Sequence, residues 1–231
     1  MTELVTYKEE EKYVIITLNN GKANAISNEV ISEFNNCLDK AEAAKKVVII
    51  TGQEGMFSAG YDLKTMTQSP KAAIELVTQG STLAHRMLSF SQPVIIAATG
   101  HALAKGAFML LSADYRIGTE GAFKIGLNEV AIGMTMHNAG IAIAKARLAP
   151  VYFERSVNNA EIYTPKDAVT AGFLDKVVPA EVLLPTAIKV ATMFAELNKK
   201  AHAGTKLKVR KAYLNDLQEA IELDKTSLFG S

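Results

Sequence analysis

Cysteine is almost absent from this chain: Cys37 stands alone, so no intramolecular disulfide can form. Its neighbours Phe34 and Leu38 predict a buried thiol rather than a reactive one. Four histidines without paired Cys/His spacing exclude a structural zinc site. Excess charge is missing too, since 25 Lys and Arg residues face 24 Asp and Glu residues, for a net charge of +1. That balance gives no broad basic field for nucleic acid, so any anionic ligand must be held locally. No apolar run approaches the ~20 residues that span a bilayer, and residues 47–50 and 94–98 are both cut short. Residues 1–11 carry acidic side chains and no apolar core of a signal peptide, and 227–231 lack the peroxisomal tripeptide. A cytoplasmic protein without a membrane segment is the expectation.

What is present is a chain of 231 residues, 48% hydrophobic, with no linker-like segment, which predicts one structural domain around one sizeable core. Residues 4–10 and 13–18 read as two strands with a charged turn between them. Ser27 is a candidate N-cap for a helix that carries Val30, Ile31, Phe34 and Leu38 and ends near Ala44. Residues 47–52 and 94–98 are continuous, β-branched apolar runs, the composition of parallel strands buried on both faces. Between them a loop closes at Met56 to Leu63, and a long helix is predicted over 70–90. Residues 114–118 and 122–126 read as short strands. Helices are then predicted over 139–147, 151–160, 165–171, 181–197 and 205–223. Strand-strand-helix units followed by a helical end fit a spiral α/β core better than a doubly wound sheet. The expected division is a core over 1–180 and a C-terminal helical segment over 181–231.

Three places carry candidate chemistry. After the strand at 94–98, Gly100 can supply a turn, and a small, apolar helix opens near Lys105. Backbone N–H groups there can hold a carbonyl oxygen that gains charge, or the corner can be structural only. Asp62, after Ser58, Ala59 and Gly60, is a ligand contact or a plain N-cap. Glu129 stands in an otherwise apolar stretch. A carboxylate in such surroundings is either satisfied by backbone donors or retained for function, because burying it unpaired is costly.

The segments Phe57-Ser58-Ala59-Gly60-Tyr61-Asp62-Leu63 and Gly100-His101-Ala102-Leu103-Ala104-Lys105-Gly106 resemble those of the crotonase (enoyl-CoA hydratase/isomerase) superfamily. The likeness continues through residues 112–117, Gly126-Leu127-Asn128-Glu129-Val130, 164–168 and 171–178. It implies a ββα spiral core with a C-terminal helical segment, and an acyl-CoA thioester as substrate. No cofactor is implied beyond the coenzyme A that the substrate carries, and no metal. By this resemblance the backbone N–H groups of Tyr61 and Lys105 form an oxyanion hole, while the Lys105 side chain can project to solvent. Coenzyme A and substrate are placed around Lys22, Ala23 and Ala25, around Ser58, Ala59, Gly60, Asp62 and Leu63, and near Gly106, Phe108, Gly133 and His137. A homotrimer or hexamer is implied, with Lys206, Lys208, Arg210 and Lys211 as candidate contacts to CoA phosphates or as a solvated basic face.

The departures from the family pattern point to the reaction. Hydratases of the family use two glutamates, and here Phe108 stands at the first position and Glu129 at the second. His137 falls where the family usually has glycine, so two bulkier side chains shrink and dry the water site. One glutamate is what the Δ3,Δ2-enoyl-CoA isomerases of the family use, which places the chain in fatty acid β-oxidation. The alternatives are an enoyl-CoA hydratase, another crotonase-type enzyme such as a thioesterase, or a non-catalytic acyl-CoA-binding subunit.

Overall fold

A computed structural model describes residues 3–227, so the end of the 181–231 segment, 228–231, lies outside the described residues. The chain opens with an antiparallel pair, β1 (Val5–Glu9) and β2 (Tyr13–Leu18). Ser27 caps α1 (Asn28–Ala44) by accepting from the Val30 N–H at 3.3 Å. The helix ends as Lys45 turns into the left-handed region at φ 54°. Its buried face holds Val30, Ile31, Phe34, Cys37 and Leu38, the 3–4 spacing read from the sequence.

Three units of two strands followed by a helix come next. The first is β3 (Val47–Thr51) and β4 (Gly55–Ser58), then a short α2 (Leu63–Gln68) and the long α3 (Pro70–Ser89). The second is β5 (Val94–Ala98), β6 (Gly100–Leu103) and α4 (Lys105–Leu111). The third is β7 (Tyr115–Thr119), β8 (Ile125–Gly126) and α5 (Asn138–Arg147). In each unit the first strand joins a six-stranded sheet of order β1-β2-β3-β5-β7-β10, where β10 is Lys176–Val178. The second strand joins a four-stranded sheet of order β4-β6-β8-β9, where β9 is Ile162–Tyr163. This is the ββα spiral.

From β2 onward the larger sheet is parallel, and β3 and β5 are buried along their whole length. One face packs on α1, α3, α4 and α5 through Phe34, Leu76, Met87 and Leu110. The other face packs on α8 (Ala180–Ala195), where Leu183, Ala187 and Ala191 meet Ile49, Ile95 and Ile117. The remaining helices are α6 (Pro150–Val157), α7 (Pro165–Ala171) and α9 (Lys199–Ser227). Helix α9 returns over the first face and adds Leu214, Leu217 and Ile221 to the core. Among the described residues no helix is long and apolar enough to cross a membrane.

Several sequence expectations change: the strand expected over 122–126 is confined to β8, and α9 begins at Lys199 rather than at 205. The loop expected after β3 contains β4, and the turn expected at Gly100 is the start of β6. Gly100 is needed for close approach instead, because a Cβ there would lie 2.1 Å from the Gly55 backbone. The turn into α4 falls on Ala104, which adopts φ 48° and ψ −121°. An L-residue rarely adopts that conformation, and its cost of ~1–3 kcal/mol is met by the surrounding packing.

Candidate active site

Residues 22–26 run beside 57–62 and form one wall of the site. The Ala59 N–H donates to the Ala23 carbonyl at 2.9 Å, and the Ile26 N–H to the Gly60 carbonyl at 2.8 Å. Asn24, at φ 47° and fully buried, fastens the two segments, since its Nδ2 donates to the Leu18 and Phe57 carbonyls. The sequence reading passed over Asn24, although an asparagine in a glycine-containing loop is a common left-handed residue. The Asp62 N–H then donates to the Ile26 carbonyl at 3.0 Å. Because Gly60 and Asp62 face Ile26, the intervening Tyr61 N–H points the other way, as pleated backbone requires.

That other side is where α4 begins. A Cβ on Gly60 would lie 3.6 Å from the Lys105 nitrogen, so the two segments are in contact there. Neither the Tyr61 nor the Lys105 N–H donates to a protein acceptor among the described residues. Gly106 permits the approach, because a Cβ at that position would meet the Ser58 carbonyl oxygen at 2.4 Å. Ser58 itself is buried, and its Oγ accepts from the Gly60 N–H at 3.2 Å.

The Lys105 side chain does not project to solvent. It is buried, and its ammonium donates to the Gly80 carbonyl of α3 at 2.5 Å. All seven residues of α4 are buried, and a helix apolar on every side leaves no outward face for its first residue. Burial pushes the Lys105 pKa down to about 7.

Glu129 begins a 3-10 turn at Val130–Ile132, and its carbonyl accepts from the Ile132 and Met134 N–H groups at 3.2 and 2.9 Å. The backbone at this turn is therefore fixed. Glu129 is buried, and its Oε2 has no hydrogen-bond partner among the described residues. Loss of water raises its pKa to about 7. Of the two readings open in the sequence, backbone satisfaction is therefore not met at Oε2.

His137 is buried rather than solvated, and its ring meets Phe108 edge to face with centroids 5.4 Å apart. Gly140 allows that packing, since a Cβ there would lie 2.7 Å from His137 Cε1 and 2.8 Å from Phe108 Cζ. Burial, opposed by Asp224, brings the His137 pKa down to about 4, and the Lys105 charge pushes the same way. The imidazole is neutral at physiological pH. Asp224, missed in the sequence, reaches this corner from α9. Its Oδ1 accepts from Asn138 N and Nδ2 at 2.8 and 2.9 Å, and its Oδ2 from the Ala139 N–H at 2.9 Å.

The remaining candidates fall outside this buried cluster. Lys22, Ala23 and Ala59 are exposed, and Ala25 is half-buried along the first wall. Asp62 is the N-cap of α2, accepting from Thr65 N and Oγ1 at 2.8 and 2.7 Å. Leu63, beside it, is 70% exposed, and Gly133 lies in the exposed turn after Glu129. Lys206 and Arg210 do not form a solvated face. Both are buried against Asp114 at 2.6 and 2.8 Å and donate to the carbonyls of Phe90, Gln92 and Leu88. Lys208 and Lys211 are exposed.

The pattern that describes enoyl-CoA hydratase/isomerase proteins matches residues 8–230. The chain belongs to that family. A crystal structure of a family protein from Pseudomonas syringae is 57% identical and superposes with a TM-score of 0.96, covering 97% of this chain and 98% of that one. A Mycobacterium tuberculosis protein, named an enoyl-CoA isomerase in one crystal structure and a probable enoyl-CoA hydratase in another, is 36% identical with a TM-score of 0.93, over 97% of this chain and 98% of that one. The 2,3-dehydroadipyl-CoA hydratase of Escherichia coli is 28% identical over 95% of this chain and 84% of its own length. Relatives thus carry both hydratase and isomerase names. The fold is that of the crotonase superfamily, and an enzyme of fatty acid metabolism acting on an acyl-CoA thioester fits the family.

Proposed function

We propose that the protein is a Δ3,Δ2-enoyl-CoA isomerase. The observation that carries this reading is Glu129, whose Oε2 is, among the described residues, the buried carboxylate oxygen without a partner. Asp224, the other buried carboxylate of this corner, has both oxygens occupied by the start of α5. In the proposed reaction the thioester carbonyl of a 3-enoyl-CoA accepts from the Tyr61 and Lys105 N–H groups. Glu129 removes a proton from C2, and the electron pair moves onto the thioester oxygen as a dienolate. The carboxylic acid then returns that proton at C4, leaving the double bond between C2 and C3. No water enters the balance. Donors aimed at a developing oxyanion contribute ~3 kcal/mol each, and a carboxyl poised near neutrality is suited to both halves of the transfer.

Hydration would need a second acid or base to hold and split a water. Phe108 offers none, and the edge-to-face contact with His137 fills the space beside it. The reading extends to a homotrimer or hexamer, for which the exposed Val130, Ile132 and Val151 offer apolar surface, and sedimentation measures the assembly. The deciding experiment is incubation with 3-enoyl-CoA and 2-enoyl-CoA in turn, with products identified by chromatography and mass. Conversion of 3-enoyl-CoA to its 2-enoyl isomer without a gain of water is expected. Rapid formation of 3-hydroxyacyl-CoA from the 2-enoyl substrate, with no isomer from the other, would overturn the assignment.

A further inference from the structure

Lys105 contributes two groups to the site, and the oxyanion hole uses only its main-chain N–H. The side chain turns inward instead. Its ammonium sits 5.9 Å from the centroid of the Tyr61 ring and donates to Gly80. Gly80 serves both neighbours, because a Cβ there would lie 2.2 Å from the Tyr61 hydroxyl. A glycine inside the long helix α3 therefore makes room for the Tyr61 ring while its carbonyl fixes the lysine. Among the described residues Lys105 forms no ion pair with a carboxylate.

A buried cation without a counter-ion is costly, so it persists where an anion arrives during function or where the surroundings tolerate it. The charged and titratable groups facing this compartment are few. Tyr61 comes from the loop before α2, His137 from the start of α5 and Asp224 from α9, and Tyr61 in turn feels Glu129. Helix α3 offers Gly80 and Ser81 but no charge at this point. Asp224 has both oxygens committed to α5 and His137 is neutral, so neither compensates the ammonium directly. The dienolate, gathered at the N–H of the same residue, is the anion this charge can answer.

We infer that the Lys105 ammonium is a positioning and field-setting group of the oxyanion site. Clamped by the Gly80 carbonyl beside the Tyr61 ring, it holds the Tyr61 segment and favours the enolate over the neutral thioester. This rests on the enolate chemistry proposed above but is independent of whether the product is an isomer or a hydrated acid. The cation does not touch the substrate. Its pKa near neutrality implies that an anion at the two N–H groups raises it and keeps the lysine charged.

The test uses acetoacetyl-CoA, whose enolate absorbs in the near ultraviolet. The acidic proton leaves its C2 for solvent and the electron pair moves onto oxygen, so no base from the protein is required. In the wild-type complex the enolate-to-keto ratio at neutral pH should exceed that of the free compound. Lys105→Met keeps the backbone donor and should lower the bound ratio by about ten-fold or more, with butanoyl-CoA affinity within a few-fold of wild type. Glu129→Gln should leave the ratio undiminished, so failure of the glutamate assignment and failure of this one are read separately. A folded Lys105→Met protein with the wild-type ratio would overturn the inference. Should that variant not fold, lysine labelled with carbon-13 at Cε in the unaltered protein gives the answer. One lysine must titrate higher with acetoacetyl-CoA bound than with butanoyl-CoA bound, and equal titration with both ligands would equally overturn it.

Discussion

Glu129 is held in a form that opposes folding. Its carboxyl titrates at about 7 in the native chain against an ordinary value of 4.5, because burial disfavours the anion. The native state therefore binds the proton more tightly than the unfolded chain does. Below about 4.5 both states are protonated and nothing is lost, while between 4.5 and 7 the penalty grows, and above 7 it is fully present. On this basis the ionised carboxylate costs about 3 kcal/mol as an upper figure. Glu129→Gln should thus melt higher than wild type at pH 8, with the gap closing at pH 5, as calorimetric scans at the two pH values would read. The same variant should lose ~10²- to 10⁴-fold in isomerase turnover with acyl-CoA affinity nearly unchanged. Wild-type kcat/KM should fall about ten-fold per pH unit below 7, since only the anion takes the C2 proton. A variant that turns over within a few-fold of wild type would move the base to another residue. Phe108→Glu tests the complementary point. It places a carboxylate beside His137 in exchange for the Phe108 ring but leaves the imidazole in the room a water would need, so 3-hydroxyacyl-CoA formation should stay far below isomerisation. Strong hydration by this single change would show that His137 does not exclude water.

At the scale of elements, the site is assembled by helix ends and short strands. Helix α5 starts at a residue whose side chain does not cap it, and the cap comes from Asp224, 86 residues on from Asn138. Three hydrogen bonds to one carboxylate stabilise this helix start and tie α9 to His137. Asp224→Ala should cost about 2–3 kcal/mol in a denaturant melt, and Asp224→Asn less, because the amide keeps one acceptor. Such a cap is invisible in sequence, where only neighbours in the chain suggest one. The elements that were legible carry their own signal. Helix α1 has Ser27 before a 3–4 apolar spacing, and β3 and β5 are unbroken β-branched runs. The strands β4 and β6 span four residues each and take their hydrogen bonds from one another, so no periodicity announces them. A lysine at a helix start is usually solvated, so the sequence leaves an outward course open to the Lys105 side chain. The composition of 106–111, apolar on every face, was the available sign that α4 is buried all round. Glu129 and Phe108 were legible by position within the family pattern. What they do together depends on His137 and Gly140, whose contact only the folded chain makes.

For the molecule as a whole, the two sheets and the returning helix α9 bring the site together from widely separated pieces. The wall comes from 22–26 and 57–62, the proposed donors from Tyr61 and Lys105 and the proposed base from Glu129, while His137 and Asp224 meet at the start of α5. Those pieces are held by backbone hydrogen bonds and packing rather than by a covalent link, since Cys37 is buried and free. A ligand that touches several of them at once adds its binding energy to the stability of the folded state and adds nothing to the unfolded chain. A ligand that occupies only the apolar space engages neither the wall nor the donors. Octanoyl-CoA at 100 times its Kd should therefore raise the unfolding free energy by about 2.7 kcal/mol, visible as a rise in Tm, while octanoate at the same concentration should leave Tm unchanged. The free acid also brings a carboxylate to a compartment that already holds Glu129, which disfavours it once the glutamate is ionised above pH 7. Thermal melts with each ligand at pH 8, joined to calorimetric titration, make the comparison. Equal stabilisation by octanoate and octanoyl-CoA would remove the role assigned to the wall formed by residues 22–26 and 57–62.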